Sequence, residues 1–179
     1  TGNICRSPVR ERLLARDLAD RGVEGSVAAA GTHAVDRGPA EHTRAAAELA
    51  GLDLGGHRGR MLTGPMIDAE GADLVIGLTR AHARHVVSNR PDAGPRTGTV
   101  RELARLLAEA EAEAEPVAPA WEQLFADRPP AALLEDDPRL DVPDPYGRPA
   151  LEHVTTVHDL AHLSRVVADG LAAIPPRMS

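Results

Sequence analysis

The chain has 179 residues, a mass of 18.9 kDa and a formal net charge of −7, which suits one domain and argues against non-specific nucleic-acid binding. Aromatic residues make up 2% and hydrophobic residues 42% of the sequence, so the core must be aliphatic and base-stacking surfaces are nearly excluded. A single cysteine, Cys5, excludes an internal disulfide framework. The longest apolar runs are far shorter than the roughly 18 residues of a membrane span.

The first helix is predicted to begin at Ser7-Pro8. Serine is a preferred N-cap residue, and proline suits the first helical position because its missing N–H has no partner there. Gly22 predicts the end of this helix near residue 21. The apolar side chains that recur at helical spacing and define one buried face are Val9, Leu13, Leu14 and Leu18.

Further along the chain, short apolar runs alternate with segments of helical spacing. Strands are predicted at 26–30, 73–78 and 96–99, and helices at 40–50, 62–70, 80–89, from 100 onward and 151–170. Strands that alternate with helices favour an α/β fold with a parallel sheet.

Residues 108–141 have a different composition from the rest of the chain. Alanine and glutamate alternate through Glu115, and five prolines follow. This pattern predicts an extension of the preceding helix and then an irregular, partly mobile insertion. A solvated excursion is favoured here over a functional segment.

The first eight residues, Thr1 to Pro8, combine a glycine-containing loop with the start of a helix. Backbone N–H groups of such a loop converge on an oxyanion, and the helix end adds positive potential. Arg6 can grip phosphate with two charge-assisted hydrogen bonds, while Asn3 and Ser7 are candidates to hold the loop through their side chains. The pattern is neither a Walker loop nor a dinucleotide fingerprint, and an ordinary capped loop remains an alternative.

The segment Thr1-Gly2-Asn3-Ile4-Cys5-Arg6-Ser7-Pro8 resembles the phosphate-binding loop of the low-molecular-weight protein tyrosine phosphatases. In that family the loop reads Cys-x-Gly-Asn-x-Cys-Arg-Ser-Pro and its first cysteine is the nucleophile. The resemblance implies that residues Thr1 to Ser7 bind phosphate, and that the nucleophile directly precedes Thr1. Cys5 matches the second loop cysteine, which is a redox partner of the nucleophile in the family.

Other segments extend the resemblance over most of the chain. His57-Arg58-Gly59-Arg60 is similar to the family pattern His-x-Ala-Arg, which implies that His57 braces the loop at Asn3. Residues 30–34 resemble the segment after the second strand, although Ala28 or Ala29 replaces the usual serine and removes a bracing hydrogen bond. Residues 108–141 resemble an actinobacterial-type variant.

The fold implied by this resemblance is a flavodoxin-like three-layer α/β sandwich. Its four-stranded parallel sheet has the order 2-1-3-4, and the central first strand is expected before Thr1. Losing that strand would expose apolar edges of its neighbours, so we expect a truncated sequence rather than a chain without the strand. We expect one domain over residues 1–179, with the insertion at about 108–141.

A second constellation, Pro143-Asp144-Pro145-Tyr146-Gly147, precedes the last predicted helix. Prolines on both sides restrict the backbone of Asp144, and a rigid turn is one interpretation. The resemblance implies instead that Asp144 is the general acid and that Tyr146 lines the substrate cleft. Many family members have a second tyrosine where this chain has Gly147.

The family mechanism has two steps. A thiolate attacks phosphorus, Arg6 and the loop N–H groups stabilise the transition state, and Asp144 protonates the leaving oxygen. Asp144 then activates water to hydrolyse the phosphocysteine. No metal or organic cofactor is implied. The implied substrates are phosphoproteins or small phosphomonoesters, and Ile4, which stands where related arginine phosphatases have threonine, favours phosphotyrosine.

Two other functions fit the same fold. An arsenate reductase of the thioredoxin-coupled kind needs cysteines after Cys5, and none follows, whereas a variant that uses an external thiol stays open. A non-catalytic phospho-ligand-binding protein that has lost its nucleophile is the third hypothesis.

The histidines were considered as metal ligands because several share a predicted helix face. His158 and His162 are four residues apart, with His153 about one turn earlier, and His82 and His85 are three apart. Surface histidines are favoured over a metal site. We further expect a cytoplasmic protein, a monomer or weak dimer, with no nucleic-acid or membrane partner.

Overall fold

The computed structural model describes residues 2–68, 71–111, 124–134 and 137–174. The chain divides into two compact units: residues 1–62 with 143–168 form the first, and residues 63–142 with 169–179 form the second. The expectation of one domain over residues 1–179 stays a prediction.

The described residues form six α-helices and two short strands. The helices are α1 (Arg6–Ala19), α2 (Glu41–Leu49), α3 (Gly64–Ile67), α4 (Arg80–Asn89), α5 (Val100–Glu111) and α6 (Ala150–Ala173), and the strands are β1 (Val75–Gly77) and β2 (Thr97–Thr99). The strands pair in parallel with Ile76 opposite Gly98. The prediction of an α/β fold with parallel strand pairing is therefore confirmed.

Helix α1 begins two residues earlier than predicted, at Arg6 instead of Pro8. Its N-cap is Cys5, without a side-chain capping hydrogen bond, so the prediction that Ser7 caps the helix was wrong. Ser7 and Pro8 lie in the first turn, where backbone N–H groups have no intrahelical acceptor and proline costs little. The predicted apolar face is buried, and it comprises Val9, Leu13, Leu14 and Leu18.

The predicted strand at 26–30 does not form. In this part of the first unit, the described residues contain one isolated parallel bridge, between Gly31 and Met61. The guanidinium of Arg60 donates from Nε to the carbonyl of Ala29, with the two atoms 2.7 Å apart. Alanine is depleted in strands, so an alanine-rich apolar run is a weak strand former.

In the second unit, α4 has the predicted bounds, 80–89. Thr79 caps it, because its side-chain oxygen accepts a hydrogen bond from the N–H of His82 at 3.4 Å. Both strands were predicted, although β1 is shorter than the expected 73–78. Helix α3 spans only Gly64–Ile67 of the predicted 62–70, and residues 69 and 70 lie outside the described ones.

The described parts of the 108–141 segment pack into the second unit, which corrects the expectation of a solvated excursion. Phe125 is buried, and a Cβ added to Gly98 would lie 2.2 Å from its ring. Arg128 forms a salt bridge with Glu102, with 3.1 Å between Nη1 and Oε2. Gly98 therefore provides the space in β2 that Phe125 fills. Residues 112–123, where much of the insertion was predicted, lie outside the described residues.

Helix α6 continues past Gly170 to Ala173, so the prediction that it ends near Gly170 was wrong. A Cβ at Gly170 would lie 2.6 Å from the Cβ of Leu107. Glycine at this position allows α5 and this part of α6 to approach closely, and packing overrides its tendency to end a helix. Although α6 has 24 residues, no helix of the described chain combines the length and apolarity needed to cross a membrane.

Candidate active site

The loop before α1 is held from outside through its carbonyl groups. Three consecutive carbonyls accept hydrogen bonds from the surrounding chain: Gly2 from the Val35 N–H at 3.4 Å, Asn3 from His57 Nε2 at 2.7 Å, and Ile4 from the Ala40 N–H at 2.8 Å. The contact of His57 with Asn3 is in the place that the resemblance implies, but it reaches the main chain rather than the side chain. The hydrogen bonds from Val35 and Ala40 could not be predicted from the sequence, because every non-proline residue has a backbone N–H.

The conformation of this loop is that of an anion-binding nest. Asn3 has a positive φ of 57°, in the left-handed region, and the helical residues of α1 begin three positions later, at Arg6. The N–H groups of Asn3, Ile4 and Cys5 donate no backbone hydrogen bond to the described residues. Because the loop carbonyls are bonded outward, these N–H groups are left for an anion at the positive end of α1.

The side chains expected to brace the loop act differently from the prediction. The Asn3 side chain is buried, and its amide nitrogen and oxygen have no partner within the described residues. This agrees with the expectation that Ala28 or Ala29 replaces a serine and that one bracing hydrogen bond is lost. Ser7 likewise makes no side-chain hydrogen bond with the described part of the chain, and Thr1 lies outside it.

Arg6 and Asp144, which are 138 residues apart in sequence, meet in the first unit. Nη2 of Arg6 lies 2.5 Å from Oδ2 of Asp144, with the arginine side chain 6% and the aspartate side chain 40% exposed. The other carboxylate oxygen, Oδ1, accepts a hydrogen bond from the N–H of Tyr146 at 3.2 Å. The phosphate loop and the segment carrying the predicted acid therefore form one site.

The segment after Asp144 is a tight turn. The N–H of Arg148 donates to the carbonyl of Pro145 at 2.9 Å, and Gly147, the third residue of the turn, has a φ of 75°. A type II turn requires a positive φ at that position, which glycine adopts without strain. The positive φ accounts for glycine at position 147 of this chain.

Tyr146 projects from this turn and is 57% exposed. Its hydroxyl accepts a hydrogen bond from Nη2 of Arg37 at 2.9 Å, and the guanidinium carbon of Arg37 lies 5.6 Å from the ring centroid. Arg37 therefore fixes Tyr146 by a hydrogen bond and a cation–π contact. This pair could not be predicted from the sequence, because Arg37 and Tyr146 are 109 residues apart.

Cys5 is buried at the start of α1. Burial raises the pKa of its thiol, so the group is protonated at neutral pH and is a poor nucleophile. The side chain of Thr43 has a smaller, opposite effect and lowers the pKa of Cys5. Cys5 therefore does not take the place of the nucleophile that the family carries at the first cysteine position.

Gly59 departs from the family pattern His-x-Ala-Arg, and its surroundings explain why. A Cβ at this position would lie 2.2 Å from the carbonyl oxygen of Val35 and 3.1 Å from that of Gly2. Real Cβ atoms do not approach backbone oxygens so closely. Glycine thus allows segment 57–60 to lie directly against the loop and the chain that holds it.

The histidines are not all on the surface, which corrects one expectation. His158 and His162 are exposed, whereas His153 is 2% exposed and its Nδ1 lies 2.9 Å from Oγ1 of Thr43. Within the described ranges, no three side chains of the metal-ligating types are grouped to hold an ion.

The family of the chain follows from comparison with known proteins. Residues 1–119 match the family model for the low molecular weight phosphotyrosine protein phosphatases, which is about two thirds of the 179 residues. The chain belongs to this family.

Individual relatives agree with the family assignment. The chain is 41% identical over 100 residues to the low molecular weight protein-tyrosine-phosphatase Etp of Escherichia coli strain K12, a match that covers 54% of this chain and 62% of Etp. The chain thus spans about three fifths of the length of this curated relative.

Solved structures share its fold. The tyrosine phosphatase Wzb from Escherichia coli K30, in complex with sulphate, is similar with a TM-score of 0.67 and 26% identity, over 96% of this chain and 93% of that one. The YwlE mutant from Bacillus subtilis is similar with a TM-score of 0.70 and 23% identity, over the same shares of the two chains. The fold is the flavodoxin-like α/β fold of the family.

Proposed function

We propose that the full-length protein hydrolyses phosphomonoesters, and protein phosphotyrosine in particular. The observation that carries the proposal is the 2.5 Å contact between Arg6 and Asp144, which joins the phosphate loop to the acid turn. A phosphate dianion on the loop competes with Asp144 for the guanidinium of Arg6, because both are oxyanions. The carboxyl group that phosphate displaces from Arg6 then lies beside the ester.

The proposed reaction has two balanced steps. The thiolate of a cysteine directly before Thr1 attacks phosphorus and forms the S–P bond as the P–O ester bond breaks, and Asp144 gives its proton to the leaving oxygen. Water then attacks the phosphocysteine, Asp144 takes a proton from it, and the thiolate leaves with inorganic phosphate as product. Arg6 and the N–H groups of loop residues Gly2 to Ser7 hold the equatorial oxygens throughout.

An aromatic substrate is favoured by the surface beside the loop. Val35, whose Cγ2 lies 4.0 Å from the Cβ position of Gly2, is a half-exposed apolar side chain, and Tyr146 is an exposed ring beside Asp144. These two exposed side chains offer apolar contact to a phenyl ring, whereas Ile4 is buried beneath the loop surface. The names of Etp and Wzb as tyrosine phosphatases support the same substrate class.

The finer features of the fold belong to this proposal. We propose a four-stranded parallel sheet in the order 2-1-3-4, whose first strand precedes Thr1, and one domain over residues 1–179. The parallel pairing of Val75–Gly77 with Thr97–Thr99 supports it. A cytoplasmic location, a monomeric or weakly dimeric state and activity without a cofactor remain predictions.

The test is hydrolysis of para-nitrophenyl phosphate by the full-length protein in the presence of a metal chelator. We expect activity that vanadate inhibits, that Arg6→Ala abolishes and that Asp144→Asn slows. The residue encoded directly before Thr1 should be cysteine. Another residue at that position, or indifference to both substitutions, would refute the proposal.

A further inference from the structure

We propose that Arg37 is a specificity residue that selects phosphotyrosine peptides with a carboxylate beside the phosphotyrosine. This role rests on the proposed function, because it narrows the substrate class of the same site. Arg37 belongs to neither of the motifs at residues 1–8 and 143–147, but its guanidinium meets the side chain of Tyr146 beside the acid turn.

The backbone of Arg37 is fixed against the segments that hold the phosphate loop. Its N–H donates to the carbonyl of Val35 at 2.8 Å, and its carbonyl accepts from the N–H of Gly59 at 3.0 Å. The N–H of Val35 in turn donates to the loop carbonyl of Gly2 at 3.4 Å. These hydrogen bonds hold the Arg37 backbone beside the loop.

The side chain of Arg37 lies on the surface, at the hydroxyl end of the Tyr146 side chain. Nη2 of Arg37 donates to the Tyr146 hydroxyl at 2.9 Å, and the guanidinium carbon lies 5.6 Å from the ring centroid. The N–H of Tyr146 donates to Oδ1 of Asp144. The tyrosine side chain thus extends from the acid turn to Arg37, so the guanidinium has a defined place beside the general acid.

Most hydrogen-bond donors of this guanidinium are unused in the described part of the chain. An arginine side chain has five N–H donors, and the hydrogen bond to Tyr146 uses one of them. Within the described residues, the Arg37 side chain makes no other hydrogen bond and no salt bridge, and it is exposed. Its remaining donors therefore face solvent, where an incoming ligand can reach them.

The carboxylates of Asp36 and Asp144 do not neutralise the charge of Arg37, because each is bound by another arginine. Asp36 accepts from Nε of Arg58 at 2.8 Å, and Asp144 accepts from Arg6. In a chain with a formal net charge of −7, Arg37 is thus a local cation on the candidate substrate face. A cation at such a position favours acidic partners and disfavours basic ones.

Arg6 and Arg37 differ in burial, and this difference separates their roles. The Arg6 side chain is 6% exposed and lies at the phosphate loop, whereas Arg37 is exposed. A phosphotyrosine whose phosphate is bound at the loop extends its ring outward along Val35 and Tyr146, so its main chain lies at the surface. A carboxylate on a residue next to the phosphotyrosine then comes within reach of Arg37, which can bind it through two charge-assisted hydrogen bonds.

An arginine that only held Tyr146 in place would have a different effect on the rates. The Tyr146 ring contacts the phenyl group that all phosphotyrosine peptides share, so its displacement would slow every peptide by the same factor. A cation that binds a flanking carboxylate instead changes the ratio of the rates for acidic and neutral peptides. Salt reduces this ratio, because the Debye length is only about 10 Å at an ionic strength of about 0.1 M.

The experiment measures kcat/KM of the full-length protein for three phosphotyrosine peptides that differ only in the residues on either side of the phosphotyrosine. These flanking residues are glutamate in the first peptide, alanine in the second and lysine in the third. At low salt, we expect the wild type to favour the glutamate peptide over the alanine peptide by about fivefold, the upper range for an exposed ion pair. Arg37→Ala should abolish this preference, and Arg37→Glu should reverse it in favour of the lysine peptide.

Two further variants serve as controls. Tyr146→Phe removes the hydroxyl that Arg37 binds but keeps the cation, so the preference for the glutamate peptide should remain even if all three rates fall. Arg12→Glu makes the same change of charge at an exposed position of α1 and should leave the preference unchanged. Where Arg37→Glu does not fold, as checked by its thermal unfolding, the smaller change Arg37→Ala decides.

The outcomes separate the two proposals. An active wild type that hydrolyses the glutamate and alanine peptides equally, or whose preference persists in the Arg37 variants, overturns the specificity role alone. Hydrolysis of para-nitrophenyl phosphate but of none of the peptides overturns the specificity role and the assignment of protein phosphotyrosine as substrate. A full-length protein that hydrolyses neither kind of substrate overturns the proposed function, and the specificity role with it.

Discussion

The two units each contain a buried arginine paired with a partly exposed aspartate, and the two pairs are built differently. In the second unit, Arg80 binds Asp141 through Nε to Oδ1 at 3.2 Å and Nη2 to Oδ2 at 3.1 Å, and its backbone N–H also donates to Oδ1 at 2.8 Å. In the first unit, Arg6 binds Oδ2 of Asp144, and Oδ1 accepts from the N–H of Tyr146.

The difference supports a structural role for the Arg80–Asp141 pair and the proposed chemical role for the Arg6–Asp144 pair. Both carboxylate oxygens of Asp141 accept hydrogen bonds from the guanidinium of Arg80. Oδ1 also accepts from the N–H of Arg80, the first residue of α4, so Asp141 caps this helix. Asp144 divides its oxygens between the phosphate loop and its own turn. An incoming oxyanion can exchange with the carboxylate on Arg6 while the turn keeps its hydrogen bond.

The largest expected effect comes from replacing the arginine of each pair and comparing the losses in kcat/KM. Arg6→Ala in the full-length protein should reduce kcat/KM on para-nitrophenyl phosphate by about 10³-fold or more, because it removes the cation that holds the transition-state oxygens. Arg80→Ala should leave kcat/KM per folded molecule within about threefold. Similar losses for both variants, with folding checked by circular dichroism, would contradict the division between the two pairs.

The next prediction concerns the backbone packing that holds the phosphate loop. Gly59→Ala places a Cβ 2.2 Å from the carbonyl oxygen of Val35, so the segments that hold the loop must separate. We expect a loss of about tenfold or more in kcat/KM and about 2 kcal/mol or more in the free energy of unfolding. Gly56→Ala, with no heavy atom within 4 Å of its Cβ position, is the matched control and should change little.

A smaller effect is expected on the stability of the second unit, through the Arg80–Asp141 pair. Burial by itself raises the pKa of Asp141, but the hydrogen bonds and charge of Arg80 outweigh it and hold the pKa below its usual 3.8. The folded state thus binds the proton less readily than the unfolded state, so this stabilisation is complete above pH 3.8 and is lost as pH falls through the folded pKa.

The variant that removes this charge is Asp141→Asn. It should lower the free energy of unfolding by about 2 kcal/mol at pH 7, and its difference from the wild type should shrink below about pH 4. Chemical denaturation at several pH values measures both quantities. A difference that stays constant down to pH 3 would show that the pair does not titrate as described.

The smallest expected effect concerns the acid turn. Gly147→Ala forces a side chain into a φ of 75° and should lower the free energy of unfolding by about 1 kcal/mol. No heavy atom lies within 4 Å of the new Cβ, so the cost is conformational. Gly25→Ala, which also has open space but no positive φ, should not destabilise, and an equal loss in thermal unfolding for both would argue against the turn type.

Local signals predicted the elements that have clear boundaries. Helix α4 lies where helical spacing predicted it, and α2 ends just before Gly51, which has a φ of 71°. The run at 26–30 forms no strand, and its three alanines are weak strand formers. At Gly170 the local signal for a helix end was outweighed by contact with Leu107, which a single sequence does not show.

In the candidate site, the chemistry-bearing side chains could be predicted but their supports could not. Arg6 and Asp144 lie in motifs of distinctive residue types, and the structure brings them together. Val35 and Ala40 act through backbone N–H groups, which every non-proline residue has. His153 was considered in the sequence only as a metal ligand, and its buried hydrogen bond with Thr43 is visible only in the structure.

The contact of Phe125 with Gly98 has a practical consequence. Phe125 is the only phenylalanine in the chain, so biosynthetic incorporation of fluorophenylalanine labels one site. The fluorine resonance reports whether the Phe125 ring is packed against Gly98 of β2. Phe125 itself lies in a segment whose sequence resembles a linker. A single spectroscopic line thus reports the folding of the second unit separately from events at the phosphate loop.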